Sequence, residues 1–340
     1  MKTKQLFLFL ISSFGVLAFQ SVYSQSSIDK IVIGSKEDAN YLVNGYASPA
    51  LSIIGYGLNQ GWYNTAKPHK LLGFDITATV NLITVPTSAL NYYVDNNKLN
   101  TVELTDGNGN PQSGNVPTVF GANVRPVYAF KADPTNTIQG APGVDLSQSP
   151  IKNTLPVPMA QVGIGLIKGT ELKVRFVPTI KFGDNSASSF SLIGFGIMHD
   201  IKQHIPAIKL LPFDLSAFIG YTSMKMNVAF DSQNHPDQQG SLTSNATTIQ
   251  GLISKKLAVL TAYAGLGYNF ASTTAKVSGT YDITNTGNYN TPINVNMSGS
   301  ATGPRATFGL RLKLAILTIH GEYTAQKYSA ITAGVGLSIR

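Results

Sequence analysis

The sequence predicts an all-β fold, a transmembrane antiparallel β-barrel of about 10–14 strands with a short N-terminal helix and plug segment. Three observations predict it. Segments of alternating apolar and polar residues recur along the chain, and the connections between them are alternately short and long. Charged residues make up only 12% of the chain, against about 25% in a typical soluble domain. Together they favour a protein whose outer surface meets lipid.

The clearest alternating segment is FDITATVNLI, residues 74–83. A strand turns successive side chains to opposite faces, so one face of this segment is apolar and the other carries Asp, Thr and Asn. Such a strand fits a soluble β-sandwich, and it also fits a barrel wall with lipid on one side and a wet lumen on the other. The scarcity of charge favours the barrel, and the sandwich is the alternative.

The connections between the alternating segments give the barrel an orientation. Tight turns at Lys168-Gly169, near residue 257 and near residue 315 alternate with long polar stretches at 231–245 and 281–303. Outer-membrane barrels have short periplasmic turns and long extracellular loops. About ten strands result, the first running upward from a periplasmic N-terminus. A further hairpin within the long region 86–156, for example around 119–130, would make twelve or more.

The N-terminus reads as a secretory signal, since Lys2 and Lys4 precede an apolar run and small residues. We therefore expect three parts: a signal peptide over 1–24, a helix and plug segment over 25–70, and an outer-membrane β-barrel over 71–340, which includes the long extracellular region 86–156. A barrel of this size needs no disulfide, and the chain has no cysteine. Its net charge of +8 comes from scattered residues, which argues against nucleic acid as a partner.

A short helix is expected near the start of the plug segment. Ser35 and Asp38 have the spacing of a helix cap, and Pro49 is expected to end the helix. Apolar plug residues would hold a ligand in the lumen: Leu51, Ile53, Ile54, Leu58, Trp62 and Tyr63. Interfacial anchoring or plug packing is the alternative role for Trp62.

Charged residues on the inward face of the alternating segments are predicted to line the lumen: Asp75, Glu171, Lys173, Arg175, Arg311, His320 and Glu322. They could favour anionic solutes, or they could pair with one another as a structural network. Five other lysines gather at the predicted periplasmic ends: Lys168, Lys202, Lys209, Lys255 and Lys256. These could contact anionic headgroups, although ordinary snorkelling at strand ends explains them as well.

No motif indicates a cofactor, a metal or catalysis. His199 and His204 are five residues apart, a spacing that faces no single side of a helix or strand, so they are interpreted as turn residues. Asp106, Asn108 and Asn110 have the start of a calcium-loop spacing, but Pro111 replaces the required Gly, which favours a plain turn. We expect no enzymatic activity.

Two stretches carry a resemblance to a known family: YASPALSIIGYGLNQGWYNTAKPHKLLGFD (46–75) and IKQHIPAIKLLPFDLSAFIGY (201–221). They resemble signatures of an uncharacterised family of Bacteroidota outer-membrane barrels. More distantly, the arrangement is similar to FadL-type transporters, in which an N-terminal segment plugs the lumen. The resemblance implies an outer-membrane location, with membrane lipid and lipopolysaccharide as surroundings and the barrel-assembly machinery as a partner during biogenesis.

Two functions follow from these expectations. The first is a transporter or channel, porin-like in its architecture, for small hydrophobic compounds, with one such compound as the ligand. The alternative is a non-transporting structural or adhesive surface barrel whose long loops act outside the cell. A plug fixed to the wall by hydrogen bonds would favour the alternative, whereas a mobile plug or a lateral gap between strands would favour transport.

Overall fold

The computed structural model describes residues 33–148, 151–231, 234–281 and 291–339. The predicted signal peptide, 1–24, lies outside the described residues. Within the described ranges the chain forms a long helix α1 (Lys36–Leu58) and sixteen strands: β1 (Phe74–Thr84), β2 (Asn91–Val94), β3 (Val102–Leu104), β4 (Gly114–Pro117), β5 (Val127–Phe130), β6 (Asp133–Gln139), β7 (Thr154–Gly165), β8 (Thr170–Phe182), β9 (Ser188–Asp200), β10 (Asp214–Asp231), β11 (His235–Leu257), β12 (Leu260–Tyr281), β13 (Thr291–Ser300), β14 (Gly303–Leu314), β15 (Leu317–Ala325) and β16 (Ala330–Ile339). No helix of these ranges is both long enough and apolar enough to cross a membrane.

Ten strands close into an antiparallel barrel. The order around the ring is β1-β7-β8-β9-β10-β11-β12-β14-β15-β16, and β16 pairs back to β1 with Phe74 opposite Ile339. β13 and β14 share one edge of β12, where β14 pairs with its first half and β13 with its second. β13 therefore prolongs the path of β14 and is not an eleventh strand of the ring. The predicted all-β barrel is confirmed.

The two ends of the barrel differ. At one end, two-residue turns join β11 to β12 and β14 to β15. The β7–β8 turn and the segment 201–213, with its two short 3-10 turns, lie at the same end. We call this the short-turn end and the opposite one the long-loop end. All of the predicted tight turns fall at the short-turn end.

β7 begins at Thr154, and before it the described part of the region 86–156 adds no strand to the barrel, so the predicted extra hairpin is wrong. Its strands β2 to β6 form separate sheets of two and three strands at the long-loop end. Within 119–130 only β5 is a strand, and it pairs with β3 and β6. The physical reason is length. These strands hold 3–7 residues, whereas crossing an apolar band of about 25 Å takes about 10 residues.

The polar stretch 231–245 is not a long loop, and this expectation was also wrong. β10 and β11 continue as a paired hairpin up to Asp231 opposite His235. With 18 and 23 residues they are far longer than a membrane crossing needs, so they extend beyond the barrel at the long-loop end. The predicted loop 281–303 likewise contains β13, and its residues 282–290 lie outside the described part of the chain.

The outside of the barrel carries a continuous set of apolar side chains. β1 alternates as the sequence predicts, with Phe74, Ile76 and Val80 exposed and the polar residues between them buried. Other strands expose large apolar residues in the same way, for example Phe176, Leu266 and Phe308. Exposed apolar surface on this scale is typical of a barrel wall that faces lipid.

Helix α1 is longer than predicted and enters from the long-loop end. Ser35 caps it by accepting a hydrogen bond from Asp38 N at 3.1 Å, as the sequence predicts. Pro49 does not end the helix, which continues to Leu58 inside the barrel. A proline removes one helical hydrogen bond, but packing against the wall holds the turns on either side of Pro49, which is itself buried. The expectation that the chain enters from the periplasmic end is therefore corrected.

Candidate functional site: the plugged lumen

The upper half of α1 lies along the free edge of β13. Asn40 and Asn44, one helical turn apart, accept hydrogen bonds at their side-chain oxygens from the main-chain N–H groups of Asn296 (3.1 Å) and Ser298 (2.8 Å). An unpaired strand edge would otherwise present these donors to solvent or to another chain. The helix is thus fixed to the wall before it enters the ring.

The six predicted ligand contacts lie inside the barrel as packed residues. Ile53 and Leu58 belong to an apolar cluster with wall residues such as Val157 and Met224, and Ile54 packs against its edge. Leu51 is buried, and a side chain at Gly299 of β13 would touch it. Trp62 and Tyr63 belong to a second cluster nearer the short-turn end. Their proposed contact with a ligand stays a prediction.

Two buried arginines from opposite sides of the wall hold the end of α1. Arg175 of β8 donates to the carbonyl oxygens of Leu58 (2.8 Å) and Gln60 (2.6 Å). Arg305 of β14 donates to the carbonyl oxygen of Asn59 at 2.7 Å. The carbonyl groups at a helix C-terminus lack helical partners and carry partial negative charge, so they are suitable acceptors for guanidinium groups. We call these contacts the arginine clamp.

Trp62 completes this layer. The guanidinium of Arg175 stacks over its ring, 3.5 Å from the centroid, and the ring of Phe218 lies 5.7 Å away. The wall leaves room for the indole at two glycines: a Cβ at Gly196 or Gly220 would come within 3.0 Å or 2.8 Å of Trp62. A cation over an aromatic face in a water-poor interior is a stabilising contact.

Below Trp62 the plug stays bonded to the wall. Gln161 donates to the carbonyl oxygen of Trp62 (2.9 Å), Tyr63 donates to Gln250 (2.6 Å), and Ser216 donates to the carbonyl oxygen of Ala66 (2.6 Å). Each level of the segment after the helix therefore has its own anchor on a different strand.

All seven predicted lumen charges are buried on the inner face of the wall. Three of them, Asp75, Glu171 and Lys173, meet His69 of the plug segment at its foot. His69 Nδ1 lies 2.9 Å from Glu171, and Lys173 Nζ lies 2.5 Å from Glu171 and 3.4 Å from Asp75. The ligand atoms of His69, Asp75 and Glu171 are close enough to hold a metal ion. Lys173 already supplies a positive charge there, so the cluster is a buried ion-pair network that fastens the plug.

Of the remaining predicted charges, Arg311 joins the foot of the plug through Ser338, which His69 Nε2 contacts at 3.1 Å, whereas Glu322 lies higher, opposite Thr332. Glu322 accepts a hydrogen bond from Tyr263 at 2.9 Å, and Arg311 donates to Ser338 at 3.1 Å. His320 is opposite Arg311 across the β14–β15 pair, with its ring in the space beside Gly334. Whether any of these groups contacts a passing solute stays a prediction.

Sequence reasoning missed two features of the interior and its rim. Arg305 was overlooked, although it lies six residues before Arg311 on the same face of an alternating strand, which is the signal that could have identified it. His199 and His204 do face each other, with their Nε2 atoms 3.0 Å apart. The intervening chain leaves the strand and makes a 3-10 turn there, so the spacing argument did not apply.

Cavities lined by described residues adjoin the plugged barrel, and three of them lie at different places around it. The first, of about 610 Å³, lies at the short-turn end, and the second, of about 730 Å³, lies between α1 and the extended strands β11–β13. The third, of about 20 Å³, lies between α1 and the region 86–148. None of the three is lined by any of the six predicted ligand contacts.

These features define the class of protein: a ten-stranded β-barrel with a lipid-type exterior, whose lumen is filled by the chain's own N-terminal segment. The chain belongs to a family of unknown function (DUF6588), whose sequence profile matches residues 1–339. A comparison with curated proteins found no match.

Solved structures with a related arrangement are outer-membrane proteins at low similarity. The translocator domain of the autotransporter NalP from Neisseria meningitidis shares 10% identity, with 85% of this chain and 93% of that chain covered and a TM-score of 0.28. A Pseudomonas aeruginosa FadL homologue shares 9% identity, with 91% of this chain and 93% of that chain covered and a TM-score of 0.21. The Ralstonia pickettii toluene transporter TbuX shares 7% identity, with 79% of this chain and 90% of that chain covered and a TM-score of 0.20. At such scores these likenesses do not bear on function.

Proposed function

We propose that the protein is a closed outer-membrane barrel that serves as a non-conducting surface protein and presents the region 86–148 on the outside of the cell. The observation that carries the proposal is the arginine clamp, in which two buried side chains bond the main chain of the plug. The apolar exterior supports the membrane location, and the contrast between short turns and long extensions supports the orientation. The proposal assigns no reaction to the protein.

Closure follows from the energetics of the clamp. Hydrogen bonds to charged groups contribute about 1.5–3 kcal/mol each, and moving the plug would break several of them together. Arg175 would keep only its bond to Gln161 of the wall, and Arg305 only its bonds to Asn269, Thr307 and Thr324. The main-chain acceptors of both buried guanidinium groups would be lost, which adds a desolvation cost to the lost bonds. Transport of small hydrophobic compounds, the other predicted function, requires that displacement and is disfavoured for this reason.

Planar-bilayer conductance tests the proposal. The full-length protein, with insertion verified by its altered migration in SDS gels before boiling, is expected to show no steady conductance. The double variant Arg175→Ala/Arg305→Ala removes the donors to Leu58, Asn59 and Gln60, so water should enter beside the helix end and produce intermittent openings. Arg125→Ala, which removes an exposed arginine of the region 86–148, is the matched control and should stay silent.

A steady open conductance from the unaltered, inserted protein would overturn the proposal in favour of a diffusion channel. Silence of the double variant, provided it still inserts, would show that the arginine clamp is not what closes the lumen. If liposomes that contain the wild-type protein take up a hydrophobic compound faster than protein-free liposomes do, the transporter is supported instead.

A further inference from the structure

The cavity at the short-turn end has an unusual lining. Three segments surround its volume of about 610 Å³: the end of the plug from Ala66 to Leu71, the β7–β8 turn from Leu166 to Gly169, and residues of the segment 200–214. It lies at the end of the barrel wall, since its lining includes the β7–β8 turn and Leu71, three residues before β1 begins. A ligand could therefore reach it from solvent or from the adjoining membrane surface.

Positive charge dominates this lining, which includes five lysines and two aspartates: Lys67, Lys70, Lys168, Lys202, Lys209, Asp200 and Asp214. Two of the lysines are engaged: Lys67 lies 3.7 Å from Asp214, and Lys202 donates to the carbonyl oxygens of Leu211 and Phe213.

The other three ammonium groups are not engaged. In the part of the chain that the structure describes, Lys70, Lys168 and Lys209 have no acidic or hydrogen-bonding partner for their side chains. Five lysines against two aspartates leave the lining with an excess of positive charge, which a bound anion would offset.

Apolar side chains lie beside these lysines. Leu71 and Ile167 line the same cavity and are 59% and 64% exposed, and Leu210, next to Lys209, is 96% exposed. A free inorganic anion would leave these side chains in water. A phospholipid has both a phosphate group for the lysines and acyl chains for the leucine and isoleucine side chains.

We propose that this cavity binds the phosphodiester headgroup of an anionic phospholipid from the membrane leaflet at the short-turn end. Lys70, Lys168 and Lys209 contact the phosphate, and the acyl chains lie against Leu71 and Ile167 on the outside of the barrel. The site does not depend on whether the barrel conducts, so it stands apart from the proposal of a closed lumen.

Lipid binding by the purified full-length protein tests this site. The protein in non-ionic detergent is titrated with phosphatidylglycerol, with phosphatidylcholine as the uncharged comparison, and bound lipid is counted by native mass spectrometry. Lys70→Gln/Lys168→Gln is the test variant. Lys255→Gln/Lys256→Gln is the matched control, since it removes the same charge from exposed lysines of the same rim that do not line the cavity.

The site predicts selective retention of phosphatidylglycerol, weakened at least about tenfold in the test variant and by no more than about twofold in the control. Equal weakening in the two variants would overturn it, because the attraction would then belong to the whole rim. Displacement of the lipid by an equal concentration of inorganic phosphate would also overturn it, because the cavity would then be a site for free anions. Equal binding of the two lipids would do the same.

Discussion

At the scale of single residues, the fit between Trp62 and the barrel wall depends on two missing side chains. Gly196 and Gly220 face each other across β9 and β10, and the indole lies over both. Glycine is disfavoured in strand interiors and is typical of places where another group approaches closely. The alternating pattern predicts which face of β9 and β10 points into the barrel. It does not predict which residue of the plug packs against the two glycines on that face.

We predict that Gly220→Ala destabilises the folded barrel, because the new Cβ would lie 2.8 Å from the Trp62 ring. Overpacking of this kind lowers the free energy of unfolding by about 1–3 kcal/mol. Trp62 is the only tryptophan in the chain, so its fluorescence during denaturant unfolding in detergent reports the change directly. The native emission should also shift to longer wavelength as the ring is displaced.

Gly251→Ala is the control for this prediction, since a Cβ at Gly251 meets nothing within 4 Å. Its unfolding midpoint should stay near that of the wild type. If the two variants unfold at the same denaturant concentration with the same emission, Trp62 does not rest on the β9–β10 glycines.

At the scale of elements, the attachment of α1 to the region 86–148 centres on one carboxylate. Asp38 accepts hydrogen bonds from Asn100 N (2.6 Å), Thr101 N (2.7 Å) and Thr101 Oγ1 (2.7 Å). It also lies in the first turn of α1, where the helix dipole favours negative charge. Burial acts to raise the pKa of Asp38, but these hydrogen bonds outweigh it and hold the pKa below its usual value of 3.8.

We predict that this attachment weakens in acid. A carboxyl group with a lowered pKa in the folded state contributes stability above its unfolded pKa, and that contribution is lost as the pH falls through the folded value. Hydrogen exchange of the Asn100 and Thr101 amides, normalised to amides of β1, should therefore speed up below about pH 4. Asp38→Asn should abolish the pH dependence and weaken the attachment by about 1–2 kcal/mol at neutral pH.

Asp106→Asn is the comparison for Asp38→Asn. Hydrogen bonds from Asn110 and Asn108 lower the pKa of Asp106 as well, but this aspartate lies in an exposed turn away from α1. Exchange at Asn100 and Thr101 should be the same in Asp106→Asn as in the wild type. An equal response to both substitutions would mean that acid acts on the region 86–148 as a whole.

The elements also show what the sequence could predict. Ten strands of the ring follow from alternation and turn spacing, since both are local patterns. Alternation could not separate a polar loop from a strand that runs into water, so 231–245 was misassigned, although residues 239–245 pair continuously with β10. The arginine clamp could not be predicted because the acceptors of Arg175 and Arg305 are main-chain oxygens, which leave no trace in residue types.

At the scale of the whole molecule, the segment that runs through the barrel precedes all of the barrel strands in the chain. Ile33 is packed with Leu99 and Val102 at the long-loop end, whereas His69 contacts Glu171 near the short-turn end. The plug therefore runs downward, and β1 then starts upward. The first described residue, Ile33, therefore lies at the opposite end of the barrel from the start of β1.

The path of the plug predicts on which side of the outer membrane an N-terminal tag will be found. An epitope inserted after Gln25 should bind antibody on intact cells, because Ile33, eight residues further along the chain, packs against the region 86–148. The same epitope between Ala258 and Val259, in the β11–β12 turn, should bind only after the outer membrane is permeabilised. The reverse pattern would mean that the barrel has the opposite orientation. Access to both epitopes in permeabilised cells alone would mean that the plug enters from the periplasmic side and that the threading described above is wrong.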